Sequence, residues 1–307
     1  MPYFSMFLSF VHKSYTNGLY PVFYIFWAPL RQTEERTSCI MGFFERSNMP
    51  QPDGFPLLGV RHILLLLTLA GCIAAGLRSI RRQPPQKARR MLYGAAILVP
   101  VLELSHSVWL YLTGTHSLIK LLPLHLCGLQ SLFIPLAVFT KFTCFRDFVY
   151  ATSLLGGIFG TVLPSGVAEC YPIWSFQTLQ TFALHGLLIF VPLAMILCGM
   201  HQPSIHRFPR VLCIFLLAAL AVGLVDQMFG ENYMFLYAPP AGTPLVWIFN
   251  TFGRGVYLAC TFVLLSGASL LVHLPFRGSA AQTASDDGTA APILPHPAHR
   301  SRLWHRS

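Results

Sequence analysis

The stretch FPLLGVRHILLLLTLAGCIAAGL (Phe55–Leu77), followed at once by RSIRRQPPQKARR (Arg78–Arg90), decides the fold. A helix needs roughly 20 apolar residues to cross about 30 Å of hydrocarbon, and this run supplies them. The basic cluster behind it marks the side of the membrane on which the chain emerges. The same pattern of a long apolar run and a short polar link recurs along the chain. Seven segments follow it: Phe55–Leu77, Met91–Leu112, Ile119–Thr140, Phe145–Pro164, Thr178–Met200, Val211–Gly230 and Pro244–Leu274. Lipid satisfies no backbone polar group, so such segments are helices or a closed barrel. Their continuous apolarity, without period-two alternation, selects helices.

Composition agrees. Of 307 residues, 54% are hydrophobic and 10% charged, against about 25% charged in an ordinary soluble domain. The formal net charge of +10 would suggest nucleic acid in a soluble protein. Here the basic residues flank apolar runs, so lipid headgroups and insertion orientation account for them, and no nucleic acid is implied. The fold class expected is all-α, a polytopic seven-helix bundle over residues 55–276. Residues 1–54 form an N-terminal segment and 277–307 a disordered tail.

Orientation follows from the short loops. Arg78, Arg81, Arg82, Lys87, Arg89 and Arg90, then Lys141 and Arg146, then Arg207 and Arg210, then the tail arginines all fall on one side. The alternate loops carry Lys120 alone among basic residues, together with Glu169 and Glu231. The N-terminus is expected outside and the C-terminus in the cytoplasm. Tyr20–Leu30 is too short to span. Either it lies in the interface, or translation starts at Met41. The tail histidines His296, His299 and His305 read as solvated rather than as metal ligands.

Ionisable residues inside spans are costly and usually face a cavity or each other. Six of the seven segments place polar groups at one depth, towards the outer side: Arg61 and His62; Glu103 and His106; His125, Cys127 and Gln130; His185; Asp226 and Gln227, with Asn232 just beyond; Asn250 and Arg254. A polar pocket in the outer half of the bundle is expected. Glu103 and His106 share a helix face, as do Cys127 and Gln130, and Asn250 and Arg254. His125 and Cys127 lie about 200° apart. Several readings remain open on these residues. Glu103 with His106 has the spacing of carboxylate-bridged metal bundles, but no second Glu lies in the spans, so no metal is implied. Cys127 with His125 or His185 is a candidate nucleophile and base, or a small core cysteine beside hydrogen-bonded histidines. Arg254 would clamp a phosphate or carboxylate, or pair with Glu103 or Asp226. Gly156, Gly157 and Gly160 read as close helix packing. The eight cysteines form no CxxC pair, so neither a disulfide framework nor a zinc cluster is expected. No Walker, Rossmann, GxSxG or HExxH pattern occurs, and no cofactor is implied.

The strings LPLHLCG (Leu122–Gly128), ALHG (Ala183–Gly186) and GENYMFL (Gly230–Leu236), with Glu103 ahead of Trp109, resemble the YwaF-like bacterial integral membrane proteins. That family is similar to the eukaryotic transmembrane protein 164 family. The resemblance runs from about Met41 to Phe276. It implies a seven-helix protein of a bacterial inner membrane with membrane lipids as partners. Through the eukaryotic branch it implies phospholipid acyl transfer by a Cys and a His. It carries His125 and His185 over as the polar centre, with Glu103 and Asn232 nearby. The eukaryotic cysteine directly precedes the third-helix histidine, where this chain has Leu124, so Cys127 departs from the pattern. A transporter or small-ligand receptor using the same polar residues is the alternative, and a purely structural membrane protein the third.

Overall fold

The computed structural model describes residues 42–47, 54–164, 166–240 and 243–274. Among these there is no strand. Seven α-helices follow one another: α1 (Val60–Arg82), α2 (Pro85–Leu112), α3 (Leu126–Phe139), α4 (Thr143–Val162), α5 (Phe176–Leu197), α6 (Phe208–Phe229) and α7 (Leu245–Leu271). Short 3-10 turns occupy Ile119–Leu121, Ile205–Arg207 and Tyr233–Phe235. The expectations for the N-terminal forty residues, including the start at Met41, and for the tail beyond 276 lie outside the described residues.

The sequence explains most boundaries. Arg81 and Arg82 close the last turn of α1, where positive charge meets the negative end of the helix dipole. Pro84 and Pro85 then break and restart the chain, with Pro85 in the first turn of α2, a position that needs no N–H. So α2 begins six residues before the apolar run suggests, and its first turns carry Lys87, Arg89 and Arg90. Ser175 caps α5 by accepting from the Thr178 N–H at 3.2 Å.

Two of the expected spans differ from the reading above. The segment Ile119–Thr140 is not one continuous helix. Pro123 cannot continue a helix from the 3-10 turn, His125 is extended at φ −66°, ψ 152°, and α3 has only 14 residues. At 1.5 Å per residue that is about 21 Å, short of the hydrocarbon thickness. The fourth helix is long enough but carries Arg146 and Asp147 near its start and buried Thr152, Ser153 and Thr161 beyond. The other five helices are long and apolar enough to cross a membrane.

Helices α4 and α5 form the centre, and α5 is the most buried of the apolar five. The Ser153 hydroxyl donates to Leu188 O at 2.6 Å. Gly157 lets α5 come close: a methyl group there would lie 2.8 Å from His185 O and 3.1 Å from Ile189 N. This is small-residue packing, which holds helices together where lipid offers no hydrophobic drive. Leu92, Ala96 and Val99 of α2, Ile134 and Ala137 of α3, Val149 of α4, and Leu188, Val191 and Met195 of α5 complete the main core. Polar ties cross it: Gln130 Nε2 donates to Thr152 Oγ1 at 2.9 Å, and Gln180 Nε2 to Leu102 O at 3.2 Å. Helix α1 joins this core only through Ile80 and Leu77, α6 and α7 lie outside it, and the three expose Leu64, Leu67, Leu217, Leu220 and Val263. Contiguous apolar surface of this kind suits lipid rather than water.

Helix α7 is broken at Gly253, whose φ of 80° and ψ of 175° are accessible essentially to glycine alone. Just before it the chain makes a tight knot. Met234 and Phe235 both have positive φ, 53° and 57°, which costs roughly 1–2 kcal/mol per residue. Asp226 Oδ1 accepts from Tyr233 N at 2.9 Å. Asn232 Oδ1 accepts from Tyr237 N and Ala238 N at 2.9 and 3.1 Å. The Tyr257 hydroxyl donates to Phe235 O at 2.7 Å. The string GENYMFL is thus a structural fastening between α6 and α7.

Candidate functional site

A cavity of about 900 Å³ runs through the bundle between α2, α3, α4, α5, α6 and α7. Towards the end where α2 finishes and α3 begins, its wall is polar: Glu103, His106, His125, Gln177, Thr181 and His185. Further down it is almost wholly apolar, lined by Leu126, Leu155, Val211, Leu212, Phe215 and Leu264. A polar end joined to a long apolar arm is the shape of a site for an amphiphile.

The polar end is built from helix register. Gln177, Thr181 and His185 fall at i, i+4 and i+8 on α5, so they form one stripe. His185 Nδ1 sits 2.8 Å from Thr181 O. A carbonyl only accepts, so Nδ1 carries the hydrogen, and in the neutral ring Nε2 is left with its lone pair. Gly160 of α4 faces that ring with no side chain in the way: even the ring's Cγ would be 2.9 Å from an added methyl. One turn earlier on the same face, Gly156 stands opposite Cys127, whose Sγ would be 3.1 Å from an added methyl. Positions four apart on a helix are about 6 Å apart. Cys127 and His185 therefore lie side by side along one groove of α4, and no hydrogen bond joins them. His125, at the N-cap of α3, rests against Tyr233 and Phe235 with ring centroids 5.1 and 5.6 Å away. Tyr233 in turn donates its hydroxyl to Ile119 O at 2.5 Å.

The structure gathers five of the residues proposed from sequence on the cavity wall: Glu103, His106, His125, Cys127 and His185. The others face elsewhere. His62 is fully buried between α1 and α4, with Nδ1 accepting from Leu58 N at 3.0 Å and Nε2 donating to Thr161 O at 2.8 Å. Asp226 and Asn232 fasten the α6–α7 connection. Arg254 donates to Leu236 O at 3.1 Å and lies 3.8 Å over the Tyr237 ring, so it pairs with neither Glu103 nor Asp226. Asn250 is exposed. Glu103 takes no ion pair among the described residues; its neighbour His106 stacks on Trp109 at 5.8 Å. Among the described residues no group of three His, Cys, Asp or Glu side chains could hold a metal ion. Gln177, Gln180 and Thr181 were not singled out from sequence, though the i, i+4, i+8 spacing of Gln177, Thr181 and His185 signals two of them.

A second polar cluster, at the opposite end, was also missed. Arg146 donates to Ala137 O, Thr140 O and Met200 O at 3.0, 2.9 and 2.7 Å. The buried Asp147 accepts from Arg207 Nε at 3.0 Å, with His201 Nε2 3.9 Å away. His201 lies in the α5–α6 connection. Burial, reinforced by Arg207, Arg146 and His273, pushes its imidazole down to about 3 from an ordinary 6.5.

No curated protein and no solved structure matches the chain. The model of one family, the TMEM164 family, matches residues 57–272. That range takes in all seven helices and the whole cavity, and is well over half of the chain. With five helices of membrane-crossing length and composition, the chain is a multi-pass membrane protein and belongs to the TMEM164 family.

Proposed function

We propose that the protein works on the acyl esters of membrane lipids, as an acyltransferase or a hydrolase. The observation that carries the reading is the bare His185 Nε2 at the polar end of a cavity whose remaining wall is mostly apolar. An acyl chain would fill the apolar arm and bring its ester to the histidine end. His185 would take the Cys127 proton as the sulfur attacks the ester carbonyl. The S–C bond forms, the ester C–O bond breaks, and the proton passes to the departing alkoxide. A second alcohol, or water, then gives its proton to His185 and releases the acyl group as an ester or an acid, restoring the thiol. His125 completes the polar end. We further place all seven helices across a bacterial inner membrane, with α3 and α4 held by their neighbours, the N-terminus outside and the C-terminus in the cytoplasm.

The test compares the lipid composition of membranes holding equal amounts of the wild type and a His125→Ala, His185→Ala variant. An acyl change present with the wild type and absent with the variant supports lipid chemistry. Cys127→Ser then separates thiol attack from direct activation of an alcohol by His185. An unchanged lipidome for the wild type, and for single alanines at Cys127, His125 and His185, refutes it. The second reading, transport or ligand sensing, draws on the interrupted α3 and α7, since broken helices mark many transporter sites. Saturable ligand binding without product would favour it.

A further inference from the structure

A smaller cavity of about 310 Å³ opens beside the polar end of the large one. His106, Leu110 and Gln177 line both, so these three side chains form the wall between them. Its outer wall is built by the strap Gly42–Ser47. The strap is held by backbone and ring contacts: Trp109 Nε1 donates to Phe44 O at 2.9 Å, Phe176 N donates to Phe43 O at 2.8 Å, and Ser47 N donates to the Tyr171 hydroxyl at 3.3 Å. This anchoring brings Arg46 to the small cavity. Its guanidinium donates to Thr115 Oγ1 and forms no ion pair among the described residues. Glu45 of the strap and Glu169 of the α4–α5 loop are turned to backbone: Glu45 accepts from Gly42 N at 2.6 Å and Glu169 from Gly166 N at 3.1 Å. On the shared wall, the Gln177 side chain is hydrogen-bonded to the His106 ring.

A guanidinium with no carboxylate partner among the described residues faces a small space that touches the polar end of an amphiphile-shaped cavity. We propose that this vestibule is an anion subsite that takes the phosphate of an amphiphile whose chains lie in the large cavity. Arg46 supplies the charge and the paired N–H donors that suit a phosphate. The proposal rests on the lipid reading above but assigns a different place and different residues: Arg254, the arginine that the sequence offered for a headgroup, lies off the cavity.

The experiment uses the full chain in detergent and measures the affinity of two short-chain probes, dioctanoyl phosphatidate and dioctanoylglycerol, by native mass spectrometry. They differ only in the phosphate. The wild type is expected to prefer the phosphatidate by about tenfold or more, the usual worth of a charged hydrogen-bonded contact. Arg46→Gln removes that preference and leaves dioctanoylglycerol binding as it was, which also reports that the variant is folded; Arg46→Lys restores part of it. Inorganic phosphate that competes with phosphatidate alone assigns the subsite to the free anion as well, and phosphate that competes with neither assigns it to the headgroup. Equal affinities for the two probes in the wild type, or an unchanged preference in Arg46→Gln, overturn the proposal while leaving the lipid reading in place. Failure of both probes to bind overturns the lipid reading, and this one with it.

Discussion

Gly160→Ala tests the placement of His185 directly. A methyl group at 160 would occupy the space of the imidazole, so the ring must turn away and give up its bond to Thr181 O, 2.8 Å long. Overpacking costs about 1–3 kcal/mol, and the lost hydrogen bond about 1 kcal/mol more. Alanine returns up to about 1 kcal/mol of helix propensity. Gly94→Ala in α2 is the matched control, because nothing lies within 4 Å of a methyl there. It gains the propensity and loses nothing. The two variants should therefore differ by about 2–4 kcal/mol, which for a chain of this size is a gap of roughly 4–16 °C in Tm. The assay is thermal unfolding in detergent, followed by size-exclusion fluorescence, with lipid turnover measured beside it. Displacing a general base costs a factor of about 10²–10⁴ in turnover. Equal melting temperatures for the two variants, or full turnover by Gly160→Ala, would show that the His185 ring does not lie over Gly160.

Two further outcomes follow from the polar fastenings. His201 stays neutral in the folded chain down to about pH 3, while in the unfolded chain it takes a proton near its ordinary 6.5. Between those values the unfolded state binds the extra proton, so stability falls as pH drops through that window and is unaffected above it. His201→Phe should flatten the dependence of Tm on pH below 6.5 by the equivalent of about 1.4 kcal/mol per unit, and an unaltered slope would contradict the burial described. Asn232→Ala removes three hydrogen bonds to the 237–238 backbone from a segment already strained at Met234 and Phe235. A loss of about 1–3 kcal/mol is expected, with hydrogen exchange quickening at residues 233–238 and unchanged in α4; protection retained at 233–238 would refute the fastening.

The helical class, the polar end of the cavity and the glycine packing of α4 could be read from sequence because each depends on spacing along one helix. Depth is such a quantity: 1.5 Å per residue puts His62, Glu103, His125, His185, Asp226 and Asn250 at one level. Direction is not. In a helix apolar on all sides no stripe says which way a lone polar side chain points, so His62 and Asp226 looked like cavity residues and proved to be internal ties. The shortness of α3 was partly legible in Pro123 but was overridden by the continuous apolarity around it. The Asp147–Arg207–His201 cluster was not legible, since Asp147 is 54 residues from His201 and 60 from Arg207 and meets them only through the packing of α4 against the α5–α6 connection. The five long helices follow from composition alone, whereas α3 and α4 owe their position to their neighbours.

That last difference sets the order of biogenesis. Helices α1 and α2 can partition into the bilayer as each leaves the ribosome. Helices α3 and α4 follow as a hairpin that is too short on one arm and charged on the other. Of the three carbonyls that receive Arg146, two are already made, but Met200 comes 54 residues later. At about 5–20 residues per second, synthesis of that interval takes roughly 3–10 s. Throughout it the hairpin must be sheltered by the insertion machinery or at the bilayer surface. The arrival of α5 ends this interval, giving Ser153 its acceptor and Gly157 its partner backbone. Helix α5 is therefore a folding checkpoint: a chain halted before it is a substrate for quality control, and one that has passed it needs only to add two apolar helices.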